Sequence, residues 1–525
     1  MEQPHRAALR PQRAELIAAL SLAIDLGLGL PLEHMLRSCV IAMRLADLLG
    51  ADAETRETAY YGGLLAWIGC HADSEEFADL LGDDVAFRAE SYEVDWRGPA
   101  FAALLMRHVG TERSLPQRAA RLTGFLTQAR AELLALIDSH CTSAGRLAER
   151  LGLPEHVVRG LAATFERWDG SGLPTGARGD AIPLGMRIVH LADVAEVHLA
   201  HGGPAAAIEV ARARSGTQFD PALVTLFCAS VDAVLPPDDA WSAVLELAPD
   251  HDQRLTADEL AELLTVMGDF VDLKCPWTAG HSRAVAALAA AAGAALGLDA
   301  AECAALERAG HVLDLGRMGV PNRVWRKAAP STAEQERIRL HPYLSRRILS
   351  RIDALRPVAG LAGTHHERLD GSGYPQGRAG PELRLPERIL AAADAYRSLL
   401  EPDPFGGPVP PEEAARILRA EVQASRLDGP AVEAVLTAAG QRAPRRIGWP
   451  AGLTDREVTV LRLLAQGRSP ALIAAELYIS PKTVRNHVEH IYAKIGASNR
   501  TGAALFAVSH GLLDAPSEGP PTVGR

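Results

Sequence analysis

Apolar residues recur at helical spacing along most of the chain. One example is the series Val285, Leu288, Ala289, Ala292 and Leu296, which places five apolar side chains on a single helix face. Alanine and leucine, which favour helices, are abundant, whereas aromatic residues make up only 5% of the sequence. The pattern therefore predicts an all-α protein.

The chain contains an internal repeat. The segment FERWDGSGLP at 165–174 corresponds to HERLDGSGYP at 366–375, and Asp193 and His140 correspond to Asp394 and His341, always 201 residues later. Because one offset holds for three separate features, we infer two copies of one helical domain, at about 15–235 and 255–440.

The remainder of the chain forms a third domain with a linker and a tail. Residues 441–451 lack periodicity and contain Pro444, Gly448 and Pro450, which predicts a linker. A domain is expected at 452–514. Residues 515–525 are rich in proline and glycine and are expected to be disordered.

Charge and cysteine content narrow the classes of protein. The net charge of -11 argues against nucleic-acid binding by the whole surface, but seven basic and five acidic residues between Leu453 and Asp514 make that segment locally basic. The six cysteines show no C-x-x-C spacing, and neither a signal peptide nor an uncharged apolar span of about 20 residues is present. We therefore expect a cytoplasmic protein without a membrane partner.

The third domain has the pattern of a helix-turn-helix. Thr454 and Glu457 form a predicted capping box, and Ser480 is placed to cap a later helix. Near the start of that helix, polar side chains point away from the apolar face, as a recognition helix requires in order to reach phosphates and base edges. These outward residues include Lys482, Thr483, Asn486 and His487.

Three segments of this domain resemble the LuxR-type helix-turn-helix family. They are LTDRE at 453–457, ISPKTVRNH at 479–487 and KIGASNR at 494–500. The resemblance implies a four-helix module that binds double-stranded DNA as a homodimer, with Lys482, Thr483, Asn486 and His487 in contact with DNA. It also implies a regulator of transcription.

The second copy gathers residues of the types that bind metals. Neutral imidazoles and carboxylates bind divalent iron, manganese or zinc, and two ions bridged by a carboxylate can activate a water against a phosphodiester. The candidate ligands are His281, Asp314, His341, His365, His366 and Asp394. Glycines predict a tight loop beside this site. The residues of this candidate ligand loop are Glu367, Asp370, Gly371, Gly373, Tyr374 and Pro375.

These residues resemble the HD-GYP family, whose members are all-helical, metal-dependent phosphodiesterases of cyclic di-GMP. The segment 365–375 matches the family pattern throughout, and the six candidate ligands match its ligand positions. Asp314 and Arg317 match its catalytic segment, although Arg317 stands where lysine is usual. The resemblance implies a cyclic dinucleotide or another phosphoester as the ligand.

Two departures put full metal loading in question. The residue before Asp314 should be histidine in this family, and it is Leu313. Position 311 is a histidine, but at about 100° per residue it points roughly 160° away from position 313, so we expect that His311 does not replace the missing ligand. Trp277 stands where a further glutamate ligand is found in some members, so no third metal is expected.

The first copy has lost more of the pattern. His34, His140 and Asp193 align with ligands, but Ala66 and Trp67 occupy the His-Asp positions. Thr164 and Phe165 occupy the His-His positions. We expect no catalytic metal in this copy, whose role would then be packing, pairing or holding a ligand without chemistry.

Three hypotheses remain open from the sequence. The first is a transcription regulator whose tandem domains sense a ligand such as a cyclic dinucleotide without efficient turnover. The second is an active metal-dependent phosphohydrolase, in the second copy only, joined to a DNA-binding output domain. The third is a scaffold for protein partners in which the metal site is a relic.

Overall fold

The computed structural model describes residues 10–71, 74–110, 115–402, 406–441, 449–465, 467–497, 499–510 and 512. Most of the predicted linker and the whole predicted tail at 515–525 lie outside the described residues. The described residues form helices, turns and one isolated bridge, with no extended strand among them, which confirms the predicted all-α class. The chain divides into two compact units, Met1–Gln441 and Arg442–Arg525.

The first copy consists of twelve α-helices among the described residues, one of which is kinked at Gly203 (φ 70°) just before Pro204. The helices are α1 (Arg13–Leu28), α2 (His34–Leu48), α3 (Ala53–Leu65), α4 (Ser74–Leu81), α5 (Asp84–Ser91), α6 (Pro99–His108), α7 (Leu115–Arg150), α8 (Glu155–Leu161), α9 (Leu184–Ala213), α10 (Pro221–Ala229), α11 (Val231–Val234) and α12 (Ala240–Glu246).

The second copy repeats the arrangement with shorter connections. Capping boxes at Thr256, Asp299 and Ser331 start three of its helices, because each side chain accepts a hydrogen bond from a backbone amide of the first turn. The helices are α13 (Ala257–Asp272), α14 (His281–Ala295), α15 (Ala300–Val312), α16 (Asn322–Trp325), α17 (Thr332–Arg339), α18 (His341–Leu349), α19 (Arg356–Ala362), α20 (Leu385–Leu399), α21 (Pro411–Gln423) and α22 (Gly429–Ala438).

The two copies share one continuous apolar core and a buried polar contact. Asp84 of the first copy is fully buried and accepts hydrogen bonds from the Asn322 amide (3.0 Å) and from Arg88 Nη1 (2.9 Å). The Lys274 ammonium of the second copy lies 3.5 Å from the same carboxylate. The copies therefore form one folded unit and not two independent bundles.

The second unit is a small four-helix module with its own core. The helices are α23 (Asp455–Ala465), α24 (Pro470–Glu476), α25 (Pro481–Ile495) and α26 (Arg500–Ser509), around buried Val458, Leu461, Ile473, Val484 and Ile491. The predicted capping box is present, because Glu457 N donates to Thr454 Oγ1 (3.3 Å) and Thr454 N donates to Glu457 Oε2 (2.8 Å). No helix within the described ranges is long and apolar enough to span a bilayer.

Candidate functional site

Asp314 lies at the centre of the candidate metal site. It directly follows α15 and the buried Leu313, and its side chain is buried. Its Oδ1 lies 3.3 Å from His341 Nε2 and 3.6 Å from His365 Nε2, whereas its Oδ2 lies 3.8 Å from His281 Nε2. One carboxylate thus faces histidines on two sides, as a bridging ligand would.

A second carboxylate closes the cluster. Asp394 on α20 places Oδ1 3.3 Å from His281 Nε2 and Oδ2 3.6 Å from His366 Nδ1. The structure therefore brings all six sequence-predicted ligands into one buried cluster, although they come from segments more than 100 residues apart. Ligand atoms of His341, His365 and His366 all lie within 4.8 Å of one another.

Backbone carbonyls orient two of the imidazoles. His341 Nδ1 donates to the Ile338 carbonyl and His365 Nδ1 donates to the Ala362 carbonyl, both at 2.7 Å. The Nε2 atoms of these rings then face each other at 3.1 Å, and in the neutral form of both rings each Nε2 carries a lone pair. Two facing lone pairs repel, so this geometry favours a cation between them and the nearby Asp314.

Burial and charge favour the ligand forms of these groups. Burial lowers the pKa of His341 and keeps its imidazole neutral. Burial alone would raise the pKa of Asp314, but the positive charge of Arg317 holds that pKa well below its ordinary value. The buried atoms His281 Nε2 and Asp314 Oδ1 make no hydrogen bond of sound geometry with any described residue. The donor set therefore fits a divalent metal.

Glu401 was missed by the sequence reasoning. Both of its carboxylate oxygens lie 3.1 Å from His281 Nδ1, so it orients His281 as a carboxylate orients a metal-bound histidine. Burial alone would lower the pKa of His281, but the carboxylates of Asp394 and Glu401 raise it to about 10, so binding of a metal at His281 Nε2 would require the loss of a proton. The sequence signal that could have found Glu401 is its spacing of seven residues from Asp394. If α20 is continued by two residues, this spacing places both carboxylates on the same side of the helix.

Arg317 lies beside the Asp314 oxygen that faces His281. Its Nη1 lies 3.0 Å from Asp314 Oδ2, and its guanidinium stacks 4.4 Å above the Trp325 ring. The neighbouring Leu313 is fully buried in the apolar core. His311 Nε2 lies 3.4 Å from Thr265 Oγ1 instead of reaching the cluster, which confirms the prediction from helix geometry.

The loop 366–375 is held by its own side chains. Glu367 is buried and accepts hydrogen bonds from the amides of Gln376 (2.8 Å) and Arg378 (2.9 Å). A Cβ at Gly373 would lie 2.4 Å from Arg368 N, so only glycine fits there. Gly371 has a φ of 78° and Asp370 accepts from Ser372 N at the exposed tip, so these residues shape the loop away from the cluster.

Tyr374 is the loop residue that reaches the histidines. Its ring centroid lies 4.7 Å from that of His366. The Tyr374–Pro375 peptide bond is cis, as is the Leu173–Pro174 bond at the corresponding position of the first copy.

The corresponding site of the first copy is satisfied internally. His34 Nε2 lies 3.0 Å from Asp193 Oδ1, and His34 Nδ1 contacts Glu196. Burial alone would lower the pKa of His34, but Asp193 and Glu196 raise it to about 10, which keeps the imidazolium charged. Trp67 stands at a position where the family has a metal ligand. Its Nε1 donates a hydrogen bond of 3.2 Å to the same Asp193 carboxylate, so this carboxylate is paired with residues of the chain.

The DNA-binding residues predicted from the sequence lie at the exposed start of α25. Ser480 Oγ accepts from Thr483 N at 3.0 Å and caps the helix. Lys482, Thr483 and Asn486 are exposed and His487 is half-buried. Lys494 Nζ forms an ion pair with Glu457 at 2.7 Å, which fixes α25 against α23.

Comparison with family models places these features in known classes. The model described as an HD domain matches residues 88–223 and 265–430, and the model described as bacterial regulatory proteins of the luxR family matches residues 451–507. The chain therefore belongs to the HD-domain family and carries a LuxR-type DNA-binding domain at residues 451–507.

Individual relatives agree with both assignments. The 3'3'-cGAMP-specific phosphodiesterase 3 of Vibrio cholerae serotype O1 is 30% identical over 413 residues, which cover 77% of this chain and 90% of that protein. A cyclic di-GMP phosphodiesterase of Thermotoga maritima is 32% identical over 161 residues, 30% of this chain and 43% of that protein. The probable transcriptional regulatory protein NarL of Mycobacterium tuberculosis is 41% identical over 98 residues, 16% of this chain and 45% of that protein.

A solved structure shares the fold of the tandem region. The crystal structure of a cyclic GMP-AMP specific phosphodiesterase of V. cholerae superposes with a TM-score of 0.58 at 26% identity, and the match covers 83% of this chain and 99% of that one.

Proposed function

We propose that this protein is a DNA-binding transcription regulator whose second HD copy binds a divalent metal and a cyclic dinucleotide. The observation that carries the proposal is the convergence of the buried Asp314, His341 and His365 with the half-buried His366, in which the Nε2 atoms of His341 and His365 face one another. Such an arrangement is costly unless a cation lies among these atoms.

A divalent ion in this cluster would supply a Lewis acid for a phosphate oxygen and a more acidic bound water. Iron, manganese and zinc all suit the mixed imidazole and carboxylate donors. Arg317 adds a guanidinium at the same cluster, where it would pair with a phosphate group. Tyr374 presents a ring beside His366, against which a nucleobase could stack.

The proposed ligand is a 3'3'-linked cyclic dinucleotide. A relative that matches 77% of the chain is a 3'3'-cGAMP-specific phosphodiesterase, and a further relative is a cyclic di-GMP phosphodiesterase. Because Leu313 supplies no ligand, the side of the cluster that faces His281 has only Asp314 and Asp394 as additional donors. We therefore propose one firmly held ion and slow turnover, so that the domain acts mainly as a sensor.

The test is to measure metal content and hydrolysis on the purified full-length protein. Manganese or iron would be added, with 3'3'-cGAMP and cyclic di-GMP as substrates, and ligand binding would be followed by calorimetry. We expect about one equivalent of metal in the wild type and its loss in His365→Ala. The matched control, His311→Ala, removes a histidine of the same domain outside the cluster and should retain the metal.

The outcomes separate the alternatives. Binding of a cyclic dinucleotide with little hydrolysis supports the sensor, whereas rapid metal-dependent hydrolysis supports an active phosphodiesterase joined to a DNA-binding output domain. Absence of both metal and ligand binding in the wild type would contradict the proposal. It would favour a scaffold in which the site is a relic.

We further propose that Lys482, Thr483, Asn486 and His487 contact double-stranded DNA, and that the protein acts in the cytoplasm as a homodimer on two half-sites. The exposure of Lys482, Thr483 and Asn486 at the capped start of α25 supports the DNA contacts. For the first copy we propose that no catalytic metal binds, because His34 and Trp67 already occupy the Asp193 carboxylate.

A further inference from the structure

The first copy encloses an apolar cavity of about 230 Å³ between α4, α5, α6 and the C-terminal half of α7. Seven of the chain's 25 Phe, Trp and Tyr residues line it, although aromatic residues make up only 5% of the sequence. Such a concentration of scarce aromatic residues around one space is typical of a ligand pocket, since most core positions in this chain are aliphatic.

The cavity lies where this copy departs from the second. The HD-type positions Trp67 and His140 are 73 residues apart, whereas the corresponding Asp314 and His341 are 27 residues apart. The additional chain contains α4 to α6. Trp67 and Phe165, which stand at former ligand positions, also line the cavity.

The cavity walls support one another. The Trp96 and Phe101 rings are stacked with centroids 5.8 Å apart, and Trp67 meets the edge of Phe165 at 5.5 Å. Phe165 in turn packs against the His140 ring at 4.7 Å. Because the rings are held by mutual contacts, the space is preformed and a ligand would not have to order them.

Three buried polar atoms among the lining residues make no hydrogen bond with any described residue, namely Arg88 Nε, Tyr92 Oη and His140 Nδ1, and of these His140 Nδ1 is the one that can only accept. His140 is 2% exposed, its Nε2 donates to the Ala66 carbonyl at 3.0 Å, and its Nδ1 makes no hydrogen bond with any described residue. Burial lowers the pKa of His140 to about 4, so the ring is neutral and Nδ1 carries a lone pair. A buried acceptor without a hydrogen bond lowers the stability of the fold, and a ligand that donates a hydrogen bond to it would remove this cost.

The size and chemistry of the cavity define a ligand class. An engineered apolar cavity of about 150 Å³ holds a single benzene ring, so the larger space here accommodates about two fused rings. The guanidinium of Arg88, also in the wall, is already bound to Asp84 and the Cys70 carbonyl. We propose that the cavity binds an uncharged aromatic molecule of about two fused rings that donates one hydrogen bond to His140 Nδ1.

A ligand at this position would be linked to the second copy through two residues, Arg88 and Asp84. Arg88 is bonded to Asp84, and Asp84 accepts from Asn322 N and lies beside Lys274, both in the second copy. Buried polar contacts thus connect the cavity to the second copy, which carries the metal cluster. Through these contacts a ligand in the cavity could regulate the second copy.

The test uses indole as the probe, because it has two fused rings and one N–H donor. Indene has the same shape without a donor. Binding to the full-length protein would be measured by isothermal titration calorimetry. We expect saturable binding of one indole per chain, with indene binding about tenfold more weakly because the His140 acceptor stays unfilled. His140→Phe should abolish that preference while retaining the ring.

Two variants on α6 distinguish the cavity from the surface. Leu105 lines the cavity and Met106 is exposed on the same helix. Leu105→Trp fills the space and should weaken indole binding at least tenfold, whereas Met106→Trp should change it less than twofold. Circular dichroism would verify folding, and Leu136→Phe, another cavity-filling change, serves if Leu105→Trp does not fold. The proposal is overturned if the wild type shows no saturable binding of indole or if both α6 variants bind it equally.

Discussion

Asp84 joins the two copies through buried polar contacts. The carboxylate is fully buried, accepts hydrogen bonds from Arg88 and from the Asn322 amide, and lies 3.5 Å from the Lys274 ammonium. Burial alone would raise the pKa of Asp84, but Lys274 and Arg88 lower it, so the group is ionised in the folded protein. Asp84→Asn removes this charge with almost no change in shape.

The substitution leaves two buried cations facing a neutral amide. Removing one partner of a buried ion pair destabilises a protein by about 3–5 kcal/mol. A unit of roughly 430 residues has an unfolding entropy near 0.9 kcal/mol/K, at about 2.1 cal/mol/K for each residue. The melting temperature should therefore fall by about 3–5 °C, and urea denaturation should show the corresponding loss of unfolding free energy.

Scanning calorimetry and urea titration would be run beside a matched control. Asp353→Asn makes the same chemical change in an ion pair with Arg356 whose side chains are both more than 60% exposed, where pairs contribute only about 0–1 kcal/mol. The double variant Asp84→Asn with Lys274→Met should recover part of the loss, since it removes one uncompensated charge. The reasoning is refuted if Asp84→Asn unfolds within about 1 kcal/mol of the control.

Three further predictions concern the two site regions and the DNA-binding helix. Leu313→His should raise metal content and any hydrolysis by adding a ligand on the His281 side, as measured by metal analysis and product formation; unchanged metal content would show that Leu313 is not limiting. Because the folded-state pKa of His34 is raised from 6.5 to about 10, its stabilising effect is complete below pH 6.5 and is lost as the pH rises through 10. The difference in unfolding free energy between wild type and His34→Gln should shrink across that interval, and a difference independent of pH would contradict the assignment. In gel shifts across several operators, Lys482→Ala should weaken binding to all of them and Asn486→Ala should change their order of preference, whereas uniform losses for both would argue against base reading by Asn486.

Local patterns in the chain were sufficient to predict the helical class, the DNA-binding module and the repeat. The caps at Thr454 and Ser480 depend on residues three positions apart, so they could be predicted before the fold was known. The constant offset likewise related His140 to His341 and Asp193 to Asp394. Helix geometry placed His311 away from the cluster, because a fixed angle per residue depends only on local backbone structure.

Contacts between distant segments could not be predicted in the same way. Glu401 beside His281 joins residues 120 positions apart, and the Asp84 contact with Asn322 joins residues 238 positions apart. No periodic pattern relates such pairs, and each has several other acidic and basic residues as possible partners. The aromatic cavity of the first copy could not be predicted for the same reason, because its walls come from α4 to α7 and from distant residues such as Leu28, Trp67 and Phe165, which only packing brings together.

The sequence by itself determined the helices, the duplicated domain and the DNA-binding module, because each depends on short-range spacing or on an internal copy, whereas the six candidate metal-binding positions were matched through the resemblance to the HD-GYP family. Tertiary structure decided which of those positions converge, which carboxylate orients His281, and how His34 and Trp67 occupy Asp193 in the first copy. Those outcomes depend on burial and on the mutual approach of helices distant in the chain, where desolvation determines whether a charge must find a partner.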